Sequence, residues 1–149
     1  IFAAVGCMSM YLLTEHTTNY SPIPVMEVHG FLDQVVLYES TVMSVPWNEE
    51  MWKNPEAYDT GAIENIFEWS ELNNCTGGLE TYVTNALYTV QRFSNCENDA
   101  QIRLMTIYAA QHNPYANNPL KDDYVVFQGT QGLVQSSEIV WDFISQFSK

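Results

Sequence analysis

Glu27 and His29 stand two residues apart in the stretch "VMEVHG". In an extended strand, residues i and i+2 project from the same face. A carboxylate would therefore lie beside an imidazole, the geometry that proton transfer requires. His112 and the adjacent pair Glu15 and His16 complete the acid/base material of the chain. The partners such chemistry usually needs are missing from the pattern: there is no nucleophile elbow, H-E-x-x-H run, C-x-x-C pair or phosphate loop. Three scattered histidines have no metal-ligand spacing, so neither a metal nor a cofactor is expected. A polar face of an antiparallel sheet is the simpler account of Glu27 and His29, and the sequence reads as non-enzymatic. The rival reading is a small acidic α+β enzyme using Glu27, His29 and His112 for acid–base chemistry, which a cleft joining those three residues would revive.

The elements that position these residues follow from composition and period. With 149 residues, 46% of them hydrophobic, the chain is long enough to bury a core as one globular domain over 1–149. Five Lys and Arg against 18 Asp and Glu give a net charge of -13, which repels phosphate backbones and argues against a nucleic-acid partner. No apolar run approaches the roughly 20 residues of a spanning helix, so the chain is not expected to cross a bilayer. The opening "IFAAVGCMSMYLL" could be the tail of a secretory leader, but its alternation through Tyr11 and Leu13 favours a first strand. Asn19-Tyr20-Ser21 and Asn74-Cys75-Thr76 are glycosylation sequons, which places Asn19 and Asn74 as carrier sites and the protein outside the cell, secreted or at the cell surface. The three cysteines, Cys7, Cys75 and Cys96, leave at least one thiol unpaired within the chain.

"MSMYLLTEHT" reads as a strand, "NYSPIP" as a turn, and "VMEVHGFLDQVVLYES" as a hairpin reversing near Asp33 and Gln34. From residue 48 the period becomes helical, with Ile63, Ile66 and Phe67 on one face and a break near Pro55; after Gly77-Gly78, residues Leu79, Tyr82, Val83, Ala86 and Leu87 supply another short apolar face. Alternation returns at Tyr88 through Cys96, in "QIRLMTIYAAQ" and in "DDYVVFQ". Ser136 or Ser137 then caps a helix with Glu138 in its first turn and Val140, Phe143, Ile144 and Phe147 along one face. Three strands, a broken helix, three strands and a helix predict an α+β fold: an antiparallel sheet covered on one face by two helical arms, with no parallel βαβ unit.

In that order, "SMYLLTEHT", "VMEVHGFLDQVVLYES", "VPWNEEMWKNPEAYDT", "VQRFSNCEND" and "DDYVVFQGTQGLVQSSEIVWDF" resemble successive segments of MHC class I molecules. "VVFQGT" is also similar to the lipid-presenting branch of that family. The resemblance implies a class I-like platform with halves of about 1–87 and 88–149 and a second helix cut short at Lys149. It further implies that Cys96 bonds to a cysteine beyond that point. Within the chain, Cys75 is the internal candidate partner, with a buried free thiol at Cys96 as the alternative.

The same resemblance maps the family's peptide-end clamps onto Ser137, Val140 and Trp141, which lack the cation that would hold a peptide carboxylate. It therefore implies a non-conventional member whose groove, lined by Leu12, Val28, Phe67, Ser137, Trp141 and Phe143, holds a lipid or is closed by its own side chains. The implied function is immune recognition or antigen presentation through a receptor protein, with Trp52, Tyr58, Trp69 and Tyr82 as receptor-facing anchors. A light chain such as beta-2-microglobulin is a further implied partner.

Overall fold

A computed structural model describes residues 2–10, 19–39, 61–112 and 134–147. Strands β1 (Val5–Met8) and β2 (Val25–Gly30) are followed by helix α1 (Ala62–Leu72), strands β3 (Glu80–Thr84), β4 (Tyr88–Phe93) and β5 (Ile102–Ile107), and helix α2 (Ser136–Ile144). The five strands form one sheet in the order β1-β2-β5-β4-β3. β1 runs parallel to β2, and β2 parallel to β5 with Val25 opposite Ile102 and His29 opposite Thr106. β4 is antiparallel to both β5 and β3.

This mixed sheet overturns the antiparallel platform with two helical arms. The physical reason is visible in β2, every residue of which is buried. A strand covered on both faces belongs at the centre of a layered parallel arrangement, not on a platform open to one side. The two helices pack on opposite faces. Ala62 and Ile66 of α1 share a core with Val25, Phe93, Ile102 and Leu104. Val140 and Phe143 of α2 share another with Met26, Val28, Val90, Met105 and Ile107. Along β2 and β5 the two sets alternate, as residues on opposite sides of a pleat must.

Local readings changed with the topology. The expected hairpin after Val25 is instead β2 and a folded loop. Asp33 Oδ1 accepts the N–H groups of Val35 and Val36, each at 2.9 Å, an Asx-type turn that coils the chain back on itself. The apolar face at Leu79–Leu87 belongs to edge strand β3 and the turn into β4, where Asn85 Oδ1 accepts the N–H groups of Leu87 and Tyr88. Thr81, Tyr82, Val83 and Thr84 are β-favouring types, and that preference prevails over a loose helical spacing. The strands from Tyr88 and Ile102 and the helix from Ser136 stand where the sequence put them, although Gln135 is the N-cap and contributes no side-chain cap. The expected helix before Gly61 and the strand at "DDYVVFQ" lie outside the described residues. α1 starts at Ala62, where Glu64 Oε2 accepts the Gly61 N–H at 2.9 Å.

Cys75 and Cys96 are joined by a disulfide that ties the end of α1 to the β4–β5 connection. Cys7 is the free cysteine.

Candidate functional site

Because β2 and β5 are adjacent and parallel, the loops that leave their carboxyl ends emerge at the same edge of the sheet, the edge at which open α/β sheets hold ligands. The two loops are stitched together: the Phe31 N–H donates to the Ile107 carbonyl at 3.0 Å and the Leu32 N–H to the Ala110 carbonyl at 2.9 Å. Gly30 makes this approach feasible. A Cβ there would sit 2.5 Å from the Ala110 oxygen and 2.7 Å from the Gln111 oxygen, which are backbone atoms that cannot swing aside. The outcome is that His112, four residues beyond Tyr108, comes to lie over Asp33.

His112 Nδ1 is 3.0 Å from Asp33 Oδ2. The Asp33 side chain is fully buried, whereas the His112 ring is about one-third exposed at 36%. A buried carboxylate that accepts Nδ1–H fixes the imidazole tautomer and orientation, and turns Nε2 outward as the basic nitrogen. Beside the pair, Phe31, Leu32, Asp33, Gln34, Leu37, Tyr38 and Glu39 line a cleft of about 270 Å³. Phe31, Leu32 and Val35 are exposed apolar side chains on the same loop.

Behind Asp33 lies the pair that the sequence singled out. His29 Nδ1 is 2.9 Å from Glu27 Oε1, and both side chains are fully buried. His29 Nε2 donates to the Val36 carbonyl at 2.7 Å and lies 3.5 Å from Asp33 Oδ2. Asn65 of α1 donates from Nδ2 to Glu27 Oε2. Burial pushes the Glu27 carboxyl up from its ordinary value, against the opposing pull of His29 and Asn65. Burial alone would lower His29, but the Glu27 carboxylate, with help from Val36 and Asp33, outweighs it and raises the imidazole. The two groups thus hold a proton between them. Tyr38 closes the network, with its hydroxyl 2.7 Å from Thr106 Oγ1 and its ring edge-on to His29.

The structure links Glu27 and His29 to His112 through Asp33, but none of the three lines the cleft, so the cleft joining them on which the enzyme reading was to be revived is not what the structure shows. It adds Asp33, which the sequence marked only as a point of reversal, and Asn65, which it did not mark. A carboxylate three residues past the glycine that ends a buried strand was the signal available for Asp33. Glu15 and His16 lie outside the described residues. Cys7 is no nucleophile, since burial first, and Glu27 second, push its thiol up to about 12. Among the described residues no group of three or more His, Cys, Asp or Glu could hold a metal ion.

The residues proposed for a groove do not come together. Val28 and Phe143 are core beneath α2. Phe67 lies on α1, across the sheet, stacked edge-on to Phe93 with ring centroids 5.1 Å apart. Ser137 is exposed, as is Trp141, at 64%. Leu12, Trp52 and Tyr58 lie outside the described residues. Trp69 is partly buried against Tyr20 and the α1 core. Tyr82 is exposed, yet it carries the guanidinium groups of Arg92 and Arg103 on its ring, at 4.5 and 4.8 Å. Of the sequon residues, Asn19 is exposed, and Asn74 is exposed with its amide donating to Glu97 at 2.6 Å. No helix among the described residues is long and apolar enough to cross a membrane, and this and the disulfide are compatible with an extracellular protein.

No family model matches the chain. Over 127 residues, 85% of the chain, it is 25% identical to feruloyl esterase B of Piromyces equi, and the matched stretch spans 18% of that protein's length. That relative is by name an esterase, which points toward an enzyme and away from the non-enzymatic expectation.

Proposed function

We propose that this chain carries the acid and base of a hydrolase that cleaves carboxylic esters by nucleophilic acyl transfer. The observation that supports it most is the 3.0 Å contact between buried Asp33 and partly exposed His112. In such a site the Asp33 carboxylate holds Nδ1–H, and Nε2 accepts the proton of an attacking hydroxyl. Asp33 stabilises the imidazolium, which then returns the proton to the departing alcohol. The chain order, acid before histidine, is that of α/β-hydrolases, in which the nucleophilic serine precedes both. The nucleophile is not assigned to a residue of this chain.

The apolar cleft formed by Phe31, Leu32, Leu37 and Tyr38 suits an aromatic acyl group, and the similarity to feruloyl esterase B makes esters of aromatic acids the first substrates to try. The disulfide favours an oxidising compartment and hence a secreted enzyme. The class I-like platform does not enter the proposal, because the fold on which it rested is overturned.

The test is hydrolysis of methyl ferulate and p-nitrophenyl acetate by the native polypeptide that carries this sequence. Asp33→Asn and His112→Ala are each expected to lower kcat/KM roughly 10³–10⁴-fold with an unchanged circular dichroism spectrum. Hydrolysis that persists undiminished in both folded variants rejects the proposal.

A further inference from the structure

The hydrogen bonds behind Asp33 form an unbroken series. Asn65 Nδ2 donates to Glu27 Oε2, and Glu27 Oε1 meets His29 Nδ1 at 2.9 Å. His29 Nε2 donates to the Val36 carbonyl at 2.7 Å, and the N–H of the same residue, Val36, donates to Asp33 Oδ1 at 2.9 Å. Asp33 Oδ2 then receives His112 Nδ1. A peptide carbonyl only accepts, so the hydrogen on His29 Nε2 is assigned by its partner and Nδ1 is committed to Glu27. Each member touches the next, and the series runs from α1 through the central strand to the rim of the cleft.

We infer that His29, fixed by Glu27, is the positioning residue for Asp33, acting through the backbone of Val36. This rests on reading Asp33 and His112 as the acid–base pair. Val36 is the last residue of the turn that Asp33 Oδ1 closes. Its carbonyl belongs to the peptide that follows and its N–H to the peptide that precedes, and the two planes meet at the Val36 Cα, so holding both ends of the residue restrains its backbone torsions and with them the direction of its N–H. Asp33 Oδ1 follows the N–H, and Oδ2, the other end of the rigid carboxylate, is thereby aimed at His112. His29 Nε2 also lies 3.5 Å from Asp33 Oδ2, an ion-pair contact longer than an ordinary hydrogen bond, so it holds Asp33 by hydrogen bonding through Val36 and, when charged, directly by its charge. A buried polar network of this kind is retained only if each member is satisfied, and removing one member frees the rest.

The test uses the 149-residue chain labelled with nitrogen-15 at histidine. Nitrogen–proton correlation spectra report the tautomer of His112 and the solvent exchange of its Nδ1–H. In the unsubstituted chain, His112 is expected as the Nδ1–H form with a slowly exchanging proton. His29→Gln places an amide N–H near the position of Nε2 and is expected to keep that signature. His29→Asn is too short to reach Val36, and it is expected to speed exchange about tenfold or more, the value of one hydrogen bond to a charged group. His29→Phe is expected to behave as His29→Asn does, and the Asn and Gln pair decides the matter alone if the Phe variant does not fold.

An unchanged His112 signature in His29→Asn overturns the inference, and so does an equal loss in His29→Asn and His29→Gln, which would make His29 mere filling. Absence of the Nδ1–H form in the unsubstituted chain would overturn the acid–base pair itself, a different and separately visible failure.

Discussion

At the scale of single residues, the site sorts three carboxylate–imidazole relationships by burial. Glu27 and His29 are sealed from solvent, Asp33 is buried beneath the loop, and His112 alone reaches the surface. Only His112 is thus free to exchange a proton with a substrate, while the buried pair sets the frame. The raised His29 value has a consequence for stability. A base held more firmly protonated in the folded state contributes stability that is fully present below its unfolded value, near 6.5, and that is lost as pH rises through the elevated folded value. The urea midpoint of the unsubstituted chain is therefore expected to fall as pH rises above 6.5 and through the elevated folded value more steeply than that of His29→Gln, which has no imidazole to titrate there. Parallel pH profiles for the two proteins would contradict it. The sequence made Glu27 and His29 legible, because a period of two is enough to put them on one face. It left Asp33 unread as a site residue, because its partner lies 79 positions away.

Among the elements, the disulfide and the paired loops decide where rigidity lies. The Cys75–Cys96 bond, with a sequence separation of 21, fastens the end of α1 to the connection that precedes β5. Asn65 on α1 is the first member of the hydrogen-bond series, so this fastening bears on the site as well as on stability. Replacing both cysteines by serine is expected to cost about 2–4 kcal/mol in urea unfolding, mainly by releasing the unfolded chain. An unchanged midpoint would mean that the bond does not form in solution. Cys75 was legible as the internal candidate for Cys96, but the sequence alone left a free thiol equally open, because pairing depends on a distance that only the fold supplies. The strands from Tyr88 and Ile102 were legible from alternation. β3 was misread because a short exposed edge strand, with polar and apolar residues mixed on both faces, carries little periodic signal.

For the whole molecule, the central fact is that one helix covers each face of a mixed sheet. Among the described residues Phe143 is the largest fully buried side chain, and it anchors α2 over β2 and β5, with Phe147 edge-on to it at 5.1 Å. Phe143→Ala is expected to destabilise the chain by about 3–5 kcal/mol, measured by urea unfolding, because the packed layer cannot collapse into the space left. A loss below 1 kcal/mol would mean that α2 does not close this face. Gly6 lies directly under Val140, so the helix approaches β1 where there is no side chain in the way. The sequence by itself determined the charge balance, the existence of β4, β5 and α2, the apolar face of α2 and the shared face of Glu27 and His29. Each of these follows from local period or from counting, and needs no knowledge of which segments meet. Only the tertiary structure decided that β2 runs parallel to β5 and that the helices take opposite faces. Only it brings the loops after β2 and β5 to the same edge, with His112 on Asp33. Strand direction and partner are set by which buried surfaces can be covered together, a property of the whole chain, and the same residues in an antiparallel hairpin would have kept those two side chains apart.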